Sequence, residues 1–124
     1  MAGAKIDLAR FHTKLLKALA YEPGGATIEG VASAIQKGDA QFWMQGEGII
    51  VTRINVFGEG RALSYWLAAG DMDDVLSITP HIEKWAKDEM GCTIAFMTGR
   101  RGWSRVLPAH GWAVEPTVNY RKEL

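Results

Sequence analysis

The chain has a single cysteine, Cys92, so no disulfide can form within it and no zinc site can be built from cysteine thiolates alone. It also lacks an excess of either charge: 14 Lys and Arg stand against 14 Asp and Glu, a formal net charge of zero with the histidines neutral. That balance removes any global attraction to nucleic acid or to an anionic membrane, and it leaves little repulsion between copies, so a homo-oligomer is an open possibility. No apolar stretch reaches membrane-spanning length. Met1 to Leu19 carries charges throughout and no continuous apolar block, which argues against a signal peptide and for a cytoplasmic location. Its basic face (Lys5, Arg10, Lys14, Lys17) reads more simply as a solvated helix face than as a targeting or anion-binding helix. His12, His81 and His110 lie far apart with no paired spacing, so no metal is expected. There is no internal repeat, low-complexity tract or linker, and residues 1–124 read as one domain.

What is present is an ordinary hydrophobic fraction, 48%, arranged periodically. Ile6, Leu8, Phe11, Leu15, Leu16 and Leu19 recur at helical spacing, which predicts a helix over 6–21, stopped by Glu22-Pro23-Gly24-Gly25. A second helix is predicted over 27–36, capped by Thr27, burying Ile28, Val31, Ala32 and Ile35, and ending at Gly38-Asp39. Strands follow over 40–45, 49–57 and 61–68, separated by Gly46-Glu47-Gly48 and Gly58-Glu59-Gly60. Glycine-flanked turns of that length connect antiparallel neighbours, so these three strands form a meander. A helix is expected over 71–90, burying Val75, Leu76, Ile82, Trp85, Ala86 and Met90, kinked or divided at Pro80 and capped by Gly91. Residues 93–97 read as a buried strand, 99–110 as a turn and short helix, and 112–120 as a last strand weakened by Pro116. Crossover helices between the later strands bring in a parallel pair. The expected class is therefore α/β (α+β), a mixed, largely antiparallel sheet with helices on both faces.

This order resembles that of the GCN5-related N-acetyltransferases (GNAT). Three segments carry the resemblance: Leu63-Ser64-Tyr65-Trp66-Leu67-Ala68-Ala69-Gly70 is similar to the family's central strand, Val75 to Cys92 to its long helix, and Gly99 to Leu107 with His110-Gly111-Trp112 to its final helix and the step into the last strand. The closing segment is especially similar to small GNAT-like proteins of bacteriophage and prophage genomes. The resemblance implies that backbone groups of Trp66, Leu67, Ala68, Ala69 and Gly70 would meet the pantetheine arm of acetyl-CoA. Two departures stand against acetyl transfer. The family's diphosphate loop, Gln/Arg-x-x-Gly-x-Gly/Ala, is replaced by Gly70-Asp71-Met72-Asp73-Asp74-Val75, which offers three carboxylates and no arginine. The tyrosine that many members place in the final helix as general acid corresponds to Leu107, counted back from Trp112, and leucine cannot protonate a thiolate. No acid lies between Arg61 and Gly70, Glu47 and Glu59 fall in turns, and no catalytic base or acid is assigned.

The remaining features are weaker. Cys92 reads as a packed thiol, Ser64 and Ser104 lack a nucleophile-elbow pattern, and Tyr21, Tyr65 and Tyr120 miss the general-acid position. The tryptophans, Trp43, Trp66, Trp85, Trp103 and Trp112, read as core or interface, although Trp43 and Trp66 on neighbouring strands could line a pocket. Arg100, Arg101 and Arg105 cluster at a helix start, where they would hold a phosphate or an acidic partner, or simply face solvent. The expectation is a GNAT-like domain with a degenerate acetyl-CoA site and no bound cofactor. It would be a non-catalytic binding or assembly protein working with a second copy or a virion-assembly partner, in the host cytoplasm or the virion. The first alternative is a divergent acyl-CoA-dependent N-acyltransferase in which Arg100 or Arg101 supplies the missing charge to acetyl-CoA. The second is a nucleic-acid accessory module using the arginine cluster, for which the basic surface is too small to carry much weight.

Overall fold

The computed structural model describes residues 12–19, 25–58, 60–98, 113–114 and 119–124, with the backbone alone at 57, 98, 113, 114 and 119–121. Helix α1 (His12–Leu19) buries Leu15, with Ala18 and Leu19 half-buried. Leu16, expected inside, is 51% exposed. It stands about 100° round the helix from Leu15, beyond the edge of a narrow contact stripe. Helix α2 (Ile28–Lys37) begins where the Thr27 side chain accepts from the Gly30 N–H at 3.1 Å, and it ends at Gly38, which takes the left-handed φ of 82°. Strands β1 (Gln41–Gln45), β2 (Gly48–Phe57) and β3 (Gly60–Gly70) form the expected antiparallel meander, with β3 running on to Gly70.

Helix α3 (Met72–Met90) is one continuous span, so Pro80 does not divide it. Proline removes the N–H that would bond the Leu76 carbonyl, and the Thr79 hydroxyl donates to that carbonyl instead, at 2.9 Å. The helix closes at Gly91, and the Arg61 guanidinium donates to the Met90 carbonyl at 3.1 Å. After β4 (Ile94–Thr98), the single strand expected over 112–120 is replaced by two, β5 (Ala113–Val114) and β6 (Asn119–Glu123), which pair antiparallel. Pro116, which cannot donate to a ladder, falls between them in sequence. The turn and helix expected over 99–110 lie outside the described residues.

The sheet order is β1-β2-β3-β4-β6-β5, with β3 and β4 parallel and the other pairs antiparallel. This is the mixed, largely antiparallel sheet that the pattern predicts. On one face, Val75, Ile78, Ile82 and Ala86 of α3 pack on Ile50, Leu63, Tyr65, Cys92, Ala95 and Met97. On the other, Leu15 of α1 and Val31 of α2 pack on Ile49, Val51, Leu67 and Ala69. Each fully buried aliphatic side chain contributes roughly 1.5–3 kcal/mol. Leu76, Trp85 and Met90, expected as core, are only partly buried at the margin of the α3 face. Cys92 is a packed thiol as expected; burial raises its pKa, and Arg61 opposes the rise.

The corner between β3 and α3 tolerates no side chain. Gly70 has φ 103°, and a Cβ built there would lie 1.9 Å from the Glu47 carbonyl oxygen. Gly70→Ala is expected to destabilise the domain by about 3 kcal/mol or more. Urea unfolding checks this, and a loss below the measurement error would show that the corner can open cheaply.

Candidate functional site

The central feature is the parting of β3 from β4. Their parallel register runs from Ala62↔Ile94 to Tyr65↔Met97 and then stops. Beyond it, β4 continues with β6 through Thr98↔Asn119, while β3 continues with β2 through Gly70↔Gly48. Among the described residues, none of β4 pairs with Trp66 to Gly70. The parting begins at a bulge. Val51 faces Leu67 and Thr52 faces Tyr65, so Trp66 is an extra residue in β3. Before it, Leu63 and Tyr65 point to the α3 face; after it, Leu67 and Ala69 point to the α1/α2 face. One inserted residue shifts the two-residue alternation by one.

Trp66, Leu67, Ala68, Ala69 and Gly70 are therefore brought to this edge as the resemblance implies, but with their side chains engaged elsewhere. Leu67 and Ala69 are core, Ala68 packs against the α3 cluster, and Trp66 is half-buried beneath Arg53. Only their backbone can face the gap. Arg100 and Arg101 lie outside the described residues, as do Ser104, Arg105, Leu107 and His110. Trp43 and Trp66 do not share a pocket: Trp43 packs toward α3, edge-on to Trp85 at 5.3 Å and to His81 at 6.2 Å, while Trp66 packs on the opposite face.

At the neighbouring α3 N-terminus the connection is a single residue. β3 ends at Gly70, α3 begins at Met72, and Asp71 alone joins them. The Asp71 side chain accepts from the Asp74 N–H at 3.1 Å, and the Asp71 N–H donates to the Glu47 carbonyl at 3.0 Å. Asp74 reaches back to accept from the Glu47 N–H at 2.8 Å. Gly46 and Gly48 lie so close that a Cβ on either would meet Asp74 or the Val75 nitrogen at 2.7 Å. A diphosphate needs a loop of free N–H groups and positive charge. Here the loop has no length, the N-cap and first turn carry Asp71, Asp73 and Asp74, and two of these carboxylates are spent on capping and on the hairpin. The residues present do not fit the diphosphate of a nucleotide cofactor at this corner.

Three polar residues that the periodicity did not single out gather near the parting. Glu83 of α3 accepts from the Tyr65 hydroxyl at 2.9 Å and pairs with Lys122 of β6 at 2.6 Å. Its side chain is only 12% exposed, so the pair is well shielded. It ties α3 to β3 and β6 at the last β3 residue that still pairs with β4. Burial first, then the Glu83 charge, drive the Tyr65 pKa far up. On the opposite face, Arg53 occupies the row of Ile49 and Val51, and its guanidinium lies 3.9 Å from the Trp66 ring centroid. The burial of Thr79 one turn before Glu83, and of the row that Arg53 shares with Ile49 and Val51, is visible only in the fold.

No protein-family model matches the sequence, and no curated protein is significantly similar to it. Among solved structures, the PaiA N-acetyltransferase from Thermoplasma acidophilum, in complex with coenzyme A, superimposes with a TM-score of 0.58. The match covers 97% of this chain and 96% of that one at 15% identity. The domain has the GNAT fold. Identity this low establishes the fold alone, and the chemistry rests on the residues just described.

Two expectations follow. Asp74→Ala removes the acceptor of the Glu47 N–H, so stability falls by about 1 kcal/mol and hydrogen exchange at the Glu47 amide accelerates; an unchanged exchange rate there would show that the carboxylate does not hold the turn. Tyr65 has a raised folded pKa, so it keeps its proton in the native state where the unfolded chain loses it. Its contribution is whole below the unfolded tyrosine value of about 10 and declines as pH rises above it. Tyr65→Phe should flatten the alkaline limb of a stability–pH profile, and a limb of the same slope in the variant would rule out this origin.

Proposed function

We propose that the domain is a GNAT-fold module that works through binding or assembly and not through acetyl transfer. The observation that carries this reading is the one-residue β3–α3 connection, closed from within by Asp71, Asp74 and the Gly46–Gly48 turn. Without a diphosphate grip, acetyl-CoA would be held by pantetheine contacts to the β3 backbone alone, which supports no tight complex. A second copy or a virion-assembly protein is the partner class in this reading, in a phage or prophage setting; the resemblance of the segment from Gly99 to Trp112 motivates that setting. Among the described residues, no helix is long and apolar enough to cross a membrane.

The parting of β3 and β4 favours a second reading, a divergent acyl-CoA-dependent N-acyltransferase. The backbone of Trp66 to Ala69, which does not pair with β4, would receive pantetheine, and Arg100 or Arg101 would have to meet the phosphates from outside the α3 corner. No catalytic acid or base is assigned in it.

Titration calorimetry with acetyl-CoA separates the two. The first reading expects no low-micromolar binding and no consumption of acetyl-CoA with a panel of amines. A low-micromolar heat that disappears in Arg100→Ala or Arg101→Ala would establish the second.

A further inference from the structure

Among the described residues, two buried side-chain polar atoms have no hydrogen-bond partner, Arg53 Nε and Trp66 Nε1. Both belong to the same stacked pair. Buried donors are almost always paired, because an unpaired one keeps its full desolvation penalty. Neither group can accept, so they cannot satisfy each other. What the pair lacks is an acceptor. Arg53 also carries a positive charge and is partly buried, and the described ion pairs, Lys84 with Asp88 and Lys122 with Glu83, leave it without a carboxylate.

We propose that Arg53 and Trp66 form a carboxylate-binding site on the α1/α2 face of the sheet, where β3 leaves β4. One guanidinium supplies one positive charge, and two N–H donors match the two oxygens of a planar monoanion. That single charge would leave a phosphate dianion undercompensated. Ser64, which faces Arg53 directly across the β2–β3 register, adds a hydroxyl beside the site. In the stacked arrangement both orphan atoms are shielded from water, so a ligand enters as Arg53 swings on its flexible stem and exchanges ring contact for charged hydrogen bonds. The carboxylate is that of a free organic acid or of a peptide. The site does not depend on whether the domain binds acetyl-CoA.

The test follows the Trp66 indole N–H in nitrogen-15-labelled protein, with the signal assigned by its loss in Trp66→Phe. Sodium acetate, a short peptide with a free C-terminus and its amidated twin are titrated at constant ionic strength. A saturable downfield shift of this indole, with the other tryptophan indoles still, is expected. Arg53→Met should weaken the apparent affinity by about ten- to a hundredfold, the loss of a charged hydrogen bond. Tighter binding of the free-ended peptide than of acetate, with the amidated twin silent, supports a peptide source; acetate binding as tightly as the peptide supports a small acid. The proposal fails if neither probe gives a saturable shift, if Arg53→Met responds like the parent, or if inorganic phosphate moves the same signal at lower concentration. The titration of the unaltered chain stands as a test even if Arg53→Met does not fold.

Discussion

Inserting Trp66 into β3 changes which face every later side chain of that strand meets. Leu63 and Tyr65 serve the α3 core, Leu67 and Ala69 serve the α1/α2 core, and one extra residue performs the exchange. A bulge also sharpens the local twist of its strand. At this point β3 cannot follow both neighbours: it stays with β2 to Gly70, and β4 turns away with β6. The gap in the sheet, the burial of Leu67 and Ala69, and the seat of Trp66 under Arg53 all follow from that single irregularity. The Tyr65–Glu83–Lys122 bridge lies on the last shared rung and holds α3, β3 and β6 together where the sheet begins to open.

The fold and the chemistry point in different directions. The overall fold is shared with the coenzyme A-bound PaiA structure, and in this chain a parted central strand lies beside a helix N-terminus. In principle such a terminus attracts anions. Here its attraction is consumed internally: Asp71 caps the helix, Asp74 fastens the β1–β2 turn, and Asp73 adds a third negative charge. On the other face, Arg53 lies over the Trp66 ring with its Nε unpartnered.

Much of the fold was legible because its signals are local. Thr27, Gly38, Gly46 and Gly91 mark their boundaries through capping and left-handed geometry, and the apolar run at 93–97 announces a buried strand. The failures have equally physical causes. Pro80 suggested a break because a sequence does not reveal that the Thr79 hydroxyl will reach the freed carbonyl. Leu16 suggested core because apolar spacing gives a stripe but not its width. The bulge at Trp66 has no sequence mark, so the faces of Trp43 and Trp66 could not be told apart. Of the candidate site, the acid-rich turn was visible as composition, whereas the contact of Asp74 with Glu47 spans 27 residues and appears only when the hairpin folds onto the helix. Glu83 and Lys122, 39 residues apart, are joined only by the sheet order.

The glycine-packed corner leaves little room for change. A phosphate cradle there would need a longer link at Asp71, yet the backbone of Glu47 and Gly48 already fills the space into which extra residues would fold. Any single insertion would first unseat the hairpin and the helix start that depends on it, before a new anion grip could offer a compensating gain. The corner is therefore intolerant of lengthening: an anion grip there demands several coordinated changes at once.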